Sequence, residues 1–193
     1  MQKNFISKTT ILLILAASFF MYKETPAQAK TDNARRAAAA AKADSPVISY
    51  TVSMSKPWTH LLEVEMRLRW AKGVSSSVEL KMPVWTPGSY LIREYARHVQ
   101  DMAVKGVSGN ALPWQKINKN TWQVDVKGEN EIAVSYRVYA NELTVRTNEL
   151  NDDHGFWNNA GLLLFPKDEL KTPSTVTVNP YGQWKIATGL PPV

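Results

Sequence analysis

Apolar residues recur at every second position from Val47 onward, and this two-residue period limits what the chain can fold into. In the clearest case they alternate with glutamate and arginine: Leu62, Val64, Met66, Leu68 and Trp70. Shorter alternating segments follow at residues 78–82, 122–126, 132–138 and 176–178. Because successive side chains of a strand point to opposite faces, each segment predicts a half-buried β-strand.

The connections between these segments are short and rich in turn-forming residues. Residues 127–130, with the sequence Lys-Gly-Glu-Asn, separate two of the alternating segments. Parallel neighbours need a crossover of a dozen or more residues, so such connections favour antiparallel pairing. We therefore expect an all-β domain, built as an antiparallel sandwich or a saddle-like curved sheet.

One segment departs from the two-residue period and predicts a single short helix. After Pro87-Gly88, apolar residues recur at three- and four-residue spacing: Leu91, Ile92, Tyr95, Ala96 and Val99. Ser89 stands where it could cap the helix, and Glu94 and Arg97 are spaced to pair across one turn. Pro87-Gly88 itself suits the central pair of a type II turn.

The first 45 residues differ in composition from the rest. Two lysines precede an apolar run at residues 11–21, and Ala27-x-Ala29 supplies the small side chains of a cleavage site. This pattern predicts a signal peptide over 1–29, a periplasmic or secreted product and no stable membrane anchor after cleavage. Residues 30–45 are alanine-rich and predict a linker, which leaves a β domain over 46–193.

The chain lacks the residue patterns of a complete catalytic site. It has no cysteine, and its three histidines, His60, His98 and His154, are far apart. Neither an H-E-x-x-H nor a G-x-S-x-G pattern is present, so we expect no catalytic residue, metal site or cofactor. Residues 151–155 are polar but predict a turn rather than a calcium loop. The formal charge is +6, but the basic residues are scattered between acidic ones. This distribution argues against a nucleic-acid partner.

A specific motif surrounds the expected turn at residues 87–88. It reads Pro83-x-Trp85-x-Pro87-Gly88-Ser89-Tyr90, followed by Ile92-Arg93-Glu94-Tyr95. The motif resembles the N-terminal domain of the glycyl-aminopeptidase family, the PDZ-containing zinc metallopeptidases of metallopeptidase family sixty-one. Weaker pieces, such as Tyr136-Arg137-Val138-Tyr139 and residues 184–190, follow in the order that this resemblance implies.

The resemblance implies a β domain packed against a zinc catalytic domain of the same polypeptide, with a peptide substrate. Zinc would belong to that missing domain, and we expect this chain alone to be inactive. The motif then has an interdomain or structural role, carried by Trp85, Pro87, Gly88, Tyr90, Arg93 and Glu94. By position, the segment that reaches the substrate cleft has amide oxygens and an apolar wall: Asn158, Asn159, Phe156 and Trp157.

Three alternatives stay open at this point. Asn158 and Asn159 could form an ordinary polar turn. The chain could instead be a stand-alone module that binds peptide or carbohydrate on an aromatic platform formed by Trp85, Trp114, Trp122 and Trp157. It could also be a purely structural domain whose tryptophans are core. Burial distinguishes the last two, because a platform leaves tryptophans exposed together.

Overall fold

The computed structural model describes residues 45–74, 76–89 and 91–192. The expected signal peptide at 1–29, all of the expected linker except Ser45, and Tyr90 lie outside the described residues. Eleven strands are present in the described ranges: β1 Val47–Ser53, β2 Leu61–Arg69, β3 Ser77–Lys81, β4 Val99–Gly106, β5 Trp114–Asn118, β6 Thr121–Asp125, β7 Glu131–Tyr139, β8 Glu149–Leu150, β9 Gly155–Phe156, β10 Phe165–Pro166 and β11 Ser174–Asn179. The all-β prediction is confirmed.

Five of these strands form the larger sheet, in the order β11-β1-β2-β7-β4. Its central pair, β2 and β7, is antiparallel and keeps one register over nine residues, from Leu61 opposite Tyr139 to Arg69 opposite Glu131. The outer pair is different, because β11 runs parallel to β1, with Val52 opposite Val178. The expectation of antiparallel neighbours throughout is therefore wrong at this edge. The connection between these two parallel strands contains all the other strands of the domain, so it is long enough for a crossover.

The smaller sheet has the order β10-β3-β6-β5 and is antiparallel. Residues 127–130 leave this sheet after β6 and enter the larger sheet at β7, so they do not close a hairpin as their length suggested. They form a turn in which Glu129 N–H donates to the carbonyl of Val126 at 2.9 Å. Trp70 N–H donates to the carbonyl of Asn130 at 2.8 Å, which fixes the turn beside the end of β2.

The two sheets share one buried core, as in a sandwich. Alternate residues of β2 and β7 in the larger sheet join Leu80, Trp122 and Val124 of the smaller sheet in a single cluster. Burial of alternate residues follows the two-residue period seen in the sequence. The described strands form no closed barrel.

The helix expected after Pro87-Gly88 is only a four-residue 3-10 turn at Tyr95–His98, and the described residues contain no α-helix. Leu91 and Ile92, expected on its buried face, are exposed. The reason lies in the backbone: Ser89 N–H donates to Thr86 O at 3.0 Å, and Arg93 N–H donates to Val84 O at 2.6 Å. Those amides are therefore not available for helical bonds, and Ser89 does not act as a cap.

Two further 3-10 turns lie at Pro57–Thr59 and Asn159–Gly161. None of the helices in the described ranges is long and apolar enough to cross a membrane. Asn159–Gly161 lies in the segment that the sequence assigned to substrate.

Candidate functional site

The candidate substrate segment belongs to a long excursion between β7 and β10, here called the 140–164 loop. Its first half is drawn into the small β8–β9 hairpin, in which Glu149 pairs with Phe156. The hairpin closes over the polar residues 151–155. Asn151 Oδ1 accepts the N–H groups of Asp153 and His154 at 2.9 and 3.0 Å, so the predicted turn is confirmed.

A buried asparagine holds the two halves of the 140–164 loop together. Asn148 Nδ2 donates to the carbonyl of Gly161 at 2.9 Å, and its Oδ1 accepts the N–H of Asn158 at 2.9 Å. A Cβ on Gly161 would lie 3.3 Å from both side-chain atoms of Asn148, so this close approach suits glycine. Sequence reasoning missed Asn148, because nothing in the local pattern distinguishes an asparagine that bonds at long range from one in a turn.

The two asparagines proposed for substrate have different environments. Asn158 caps the Asn159–Gly161 turn, since its Oδ1 accepts the N–H of Ala160 at 3.0 Å. Its Nδ2 donates to the carbonyl of Val145 at 3.2 Å, so both ends of the amide have partners within the loop. Asn159 is exposed, and its side chain makes no hydrogen bond to the described part of the chain. Only Asn159 therefore has an amide ready for an external group.

The aromatic pair that precedes these asparagines is also divided. Phe156 is exposed at the end of the β8–β9 hairpin. Trp157 is partly buried against the core and lines a groove of about 250 Å³, together with His154, Trp184 and Ile186. An exposed apolar wall is therefore offered by Phe156, whereas Trp157 belongs to the neighbouring groove.

The motif around residues 83–95 forms a compact loop beside the Asn159–Gly161 turn. Gly88 has φ of +82°, the left-handed conformation expected at the second central position of a type II turn after Pro87. Trp85 is exposed. Glu94 pairs with Lys119 at 2.8 Å rather than with Arg97, and this contact lowers the pKa of the Glu94 carboxyl.

His60 and His98 both contact the ring of Tyr139, but the described residues contain no group of three His, Cys, Asp or Glu side chains that could hold a metal ion. His98 lies against the ring of Tyr139 with centroids 6.4 Å apart, and its pKa is lowered by burial and then by the charge of Arg97. Asp101 pairs with Arg137 instead of His98. The described part of the chain therefore does not fit a zinc site.

The four tryptophans proposed as a binding platform do not form one. Trp122 is buried in the core, with Lys116 Nζ 4.7 Å from its ring centroid, while Trp114 and Trp85 are exposed. No two of the four rings stack among the described residues. A different aromatic cluster exists: Tyr181 makes edge contacts with Trp58 and Trp184, with centroids 6.2 and 5.6 Å apart. Trp58 is distant in sequence from Tyr181 and Trp184, and the sequence pattern did not indicate that they meet.

A family model for the peptidase M61 N-terminal domain matches residues 49–193. The chain belongs to this family. The resemblance inferred from the Trp85–Pro87–Gly88 segment is confirmed, and it covers almost the whole described structure. No curated protein sequence matches the chain.

Solved structures extend the comparison of this M61 N-terminal domain. An aminopeptidase N family protein from Idiomarina loihiensis superposes with a TM-score of 0.69 at 32% identity, over 75% of this chain and 24% of that one. An M1 zinc metallopeptidase from Deinococcus radiodurans gives a TM-score of 0.39 at 15% identity, over 71% of this chain and 32% of that one. The chain spans about a quarter to a third of the length of these proteins.

Proposed function

We propose that this chain is the N-terminal domain of an exported zinc aminopeptidase and supplies part of the wall of its substrate cleft. The observation that carries the proposal is the free, exposed amide of Asn159 on a backbone that buried hydrogen bonds hold in place. Membership of the peptidase M61 N-terminal domain family supports the setting. The isolated chain is then expected to be inactive.

The chemistry of an aminopeptidase substrate explains why an amide would serve. A peptide with a free N-terminus brings an ammonium group, and a cation removed from water must be paired or hydrogen-bonded. The Asn159 side-chain oxygen accepts such a donor without adding a charge. Phe156, three residues earlier and exposed, offers an apolar surface for the adjoining side chain. Asn158 is a positioning residue, because both ends of its amide are used within the loop.

Zinc would be held by residues of the catalytic domain that follows in longer members of the family. The described residues of this chain contain no set of ligands for it. Export to the periplasm or outside the cell rests on the signal-peptide pattern at residues 1–29. The absence of cysteine agrees with a domain whose stability comes from packing in either compartment.

The test uses the full-length peptidase that contains this domain. Asn159→Ala should lower kcat/KM on substrates with a free N-terminus by about ten- to a hundredfold, because hydrogen bonds to charged groups contribute about 1.5–3 kcal/mol. Asn130→Ala, which removes another exposed asparagine side chain, is the matched control and should leave kcat/KM unchanged. An Asn159→Ala enzyme with unchanged kcat/KM would remove this residue from the cleft.

A second candidate function rests on the aromatic cluster of Trp58, Tyr181 and Trp184. Trp58 and Tyr181 are exposed and in edge contact, and Tyr181 also contacts Trp184, which lines the groove; such a cluster suits a sugar ring or an aromatic peptide side chain. Titration of the chain with oligosaccharides and with short peptides tests it by tryptophan fluorescence. Binding that Trp58→Ala abolishes would support a binding module, and an unchanged signal with both ligand classes would exclude it.

A further inference from the structure

The segment at residues 84–93, here called the 84–93 loop, is closed by two backbone contacts. The inner contact joins Thr86 and Ser89 across the Pro87-Gly88 turn, and the outer one joins Arg93 N–H to the carbonyl of Val84. Trp85 follows Val84 and Ile92 precedes Arg93, so the outer hydrogen bond brings the two apolar residues to the same end of the loop. The loop is therefore a small hairpin.

The side chains of this hairpin are unusually apolar for a surface. Trp85 is 55% exposed, Leu91 is 60% exposed and Ile92 is 72% exposed. Single exposed apolar residues are normal on soluble proteins, but several on one short loop form a patch of the kind that marks an interaction surface.

Buried donors without partners lie next to this patch. The hydroxyl of Tyr95, a residue only 5% exposed, and the Nε of Arg93 are buried and have no hydrogen-bond partner among the described residues. Leaving a buried donor unpaired is costly, and native structures rarely do so without a reason. The two donors are two residues apart in sequence, and neither has an acceptor within the described part of the chain.

Tyr95 is also close to the candidate substrate segment. A Cβ on Gly161 would lie 3.4 Å from Cδ1 of Tyr95, so the tyrosine ring covers the end of the Asn159–Gly161 turn. The Tyr95 ring therefore connects the residues behind the 84–93 loop to the turn that contains Asn159.

We propose that the 84–93 loop, with Tyr95 behind it, is the surface on which the remaining part of the larger peptidase packs. That part would cover Trp85, Leu91 and Ile92 with apolar side chains and would offer oxygen acceptors, including a carboxylate, to Arg93 and Tyr95. The inference rests on the proposed function for the identity of the partner. About three-quarters of the related Idiomarina protein lies outside the match to this chain, which supplies a partner of sufficient size.

Charge argues against a second copy of the chain as the occupant. A two-fold contact through the loop would bring one Arg93 towards the other. The neighbouring acid, Glu94, pairs with Lys119 at 2.8 Å and not with Arg93. A partner with its own carboxylate fits the patch better.

The experiment compares the full-length peptidase with this chain alone. Ile92→Asp should lower the thermal midpoint of the full-length enzyme by about 2–4 °C and leave the midpoint of the isolated chain unchanged. Leu170→Asp, at a leucine that is 67% exposed, is the matched control and should change neither. Equal midpoints for wild type and Ile92→Asp in the full-length enzyme would overturn the inference.

Tyr95→Phe gives an opposite sign in the two settings. In the isolated chain it removes an unpaired hydroxyl, so the midpoint should stay the same or rise. In the full-length enzyme it removes a hydrogen bond to the partner, so the midpoint should fall. A fall of equal size in both would show that the tyrosine acts only within this domain and would count against the inference.

Two further measurements complete the test. Hydroxyl-radical labelling of Trp85 should be several-fold slower in the full-length enzyme, and equal labelling in both would contradict the docking surface. Sedimentation of the isolated chain should show a monomer, whereas a dimer that Ile92→Asp dissociates would assign the patch to a second copy. Because Asn159→Ala is read by kcat/KM and these experiments by stability and protection, failure of one proposal is distinguishable from failure of the other.

Discussion

The 140–164 loop and the 84–93 loop lie side by side, yet they are held in different ways. In the 140–164 loop, buried side chains bond the backbone: Asn148 joins Asn158 to Gly161, and Asn158 caps the next turn. In the 84–93 loop, backbone contacts close the hairpin, and the nearby donors of Arg93 and Tyr95 remain unpaired. The hydrogen bonds that hold the first loop lie within the domain, whereas two donors next to the second loop lack partners among the described residues.

The end of the 140–164 loop is secured by two tyrosines of the larger sheet. Tyr50 donates its hydroxyl to the carbonyl of Leu164 at 2.6 Å. Tyr136 donates to the carbonyl of Leu162 and accepts the N–H of Leu164, each at 3.0 Å. The sheet therefore supports the backbone that follows Asn159.

The largest effect should come from breaking the buried link of the 140–164 loop. Asn148→Ala leaves the N–H of Asn158 and the carbonyl of Gly161 without partners. Each unpaired buried group costs about 1–3 kcal/mol, so we expect a loss of about 2–4 kcal/mol in the free energy of unfolding. Urea denaturation measures it, with the exposed Asn141→Ala as control. A loss below about 0.5 kcal/mol for Asn148→Ala would show that the link does not hold the loop.

The next effect concerns the support from the sheet. Tyr136→Phe keeps the ring and removes the hydroxyl that serves Leu162 and Leu164. We expect a loss of about 1–3 kcal/mol in the free energy of unfolding, because both backbone groups are buried. Hydrogen exchange should show faster exchange at the amide of Leu164 than in the wild type. Unchanged protection at that amide would contradict the assigned bond.

Alkaline pH should test both tyrosines together. Burial raises the pKa of Tyr50 and of Tyr136 above the usual 10.0. Below pH 10 both tyrosine hydroxyls are protonated in the folded and in the unfolded chain. Above pH 10 they ionise in the unfolded chain but stay protonated in the folded one. The free energy of unfolding should then fall by about 1.4 kcal/mol per pH unit for each tyrosine. Stability measured from pH 9 to 11 checks this, and Tyr136→Phe should remove its share of the slope.

The smallest effect should arise in the 84–93 loop, where conformation rather than side-chain bonding sets the turn. Gly88 has φ of +82° and open space around it, so Gly88→Ala meets strain without a clash. We expect a loss of about 1–2 kcal/mol, which is the cost of the left-handed conformation for an L-residue. Gly189→Ala, also in open space but without a positive φ, is the control for thermal denaturation. Equal midpoints for the two variants would mean that the turn is not held in this conformation.

The sequence allowed the strands to be predicted well and their partners poorly. The alternation from Leu62 to Trp70 became β2 almost residue for residue. The pairing predicted from the short connection at 127–130 was wrong, because a short connection can join strands of two packed sheets as easily as neighbours in one sheet. The helix predicted from Leu91 and Ile92 was also wrong, since the spacing of apolar residues does not show whether they are buried or exposed.

The candidate site was located in part. The segment was found by its resemblance to a family, but the sequence could not separate Asn158 from Asn159. That difference depends on Val145 and Ala160, which bond the Asn158 amide and leave that of Asn159 free. Asn148 was missed for the same reason, because its partners are ten and thirteen residues away.

The sequence alone determined the strands, the Pro87-Gly88 turn and the family. Each of these depends on residues close together in the chain: the alternation of side chains, the φ that the proline ring fixes, and the residues of the motif. The tertiary structure decided which sheet each strand joins, which asparagine is free and which donors lack partners. These depend on contacts between residues far apart in the chain, such as β1 with β11, and local pattern carries no record of them.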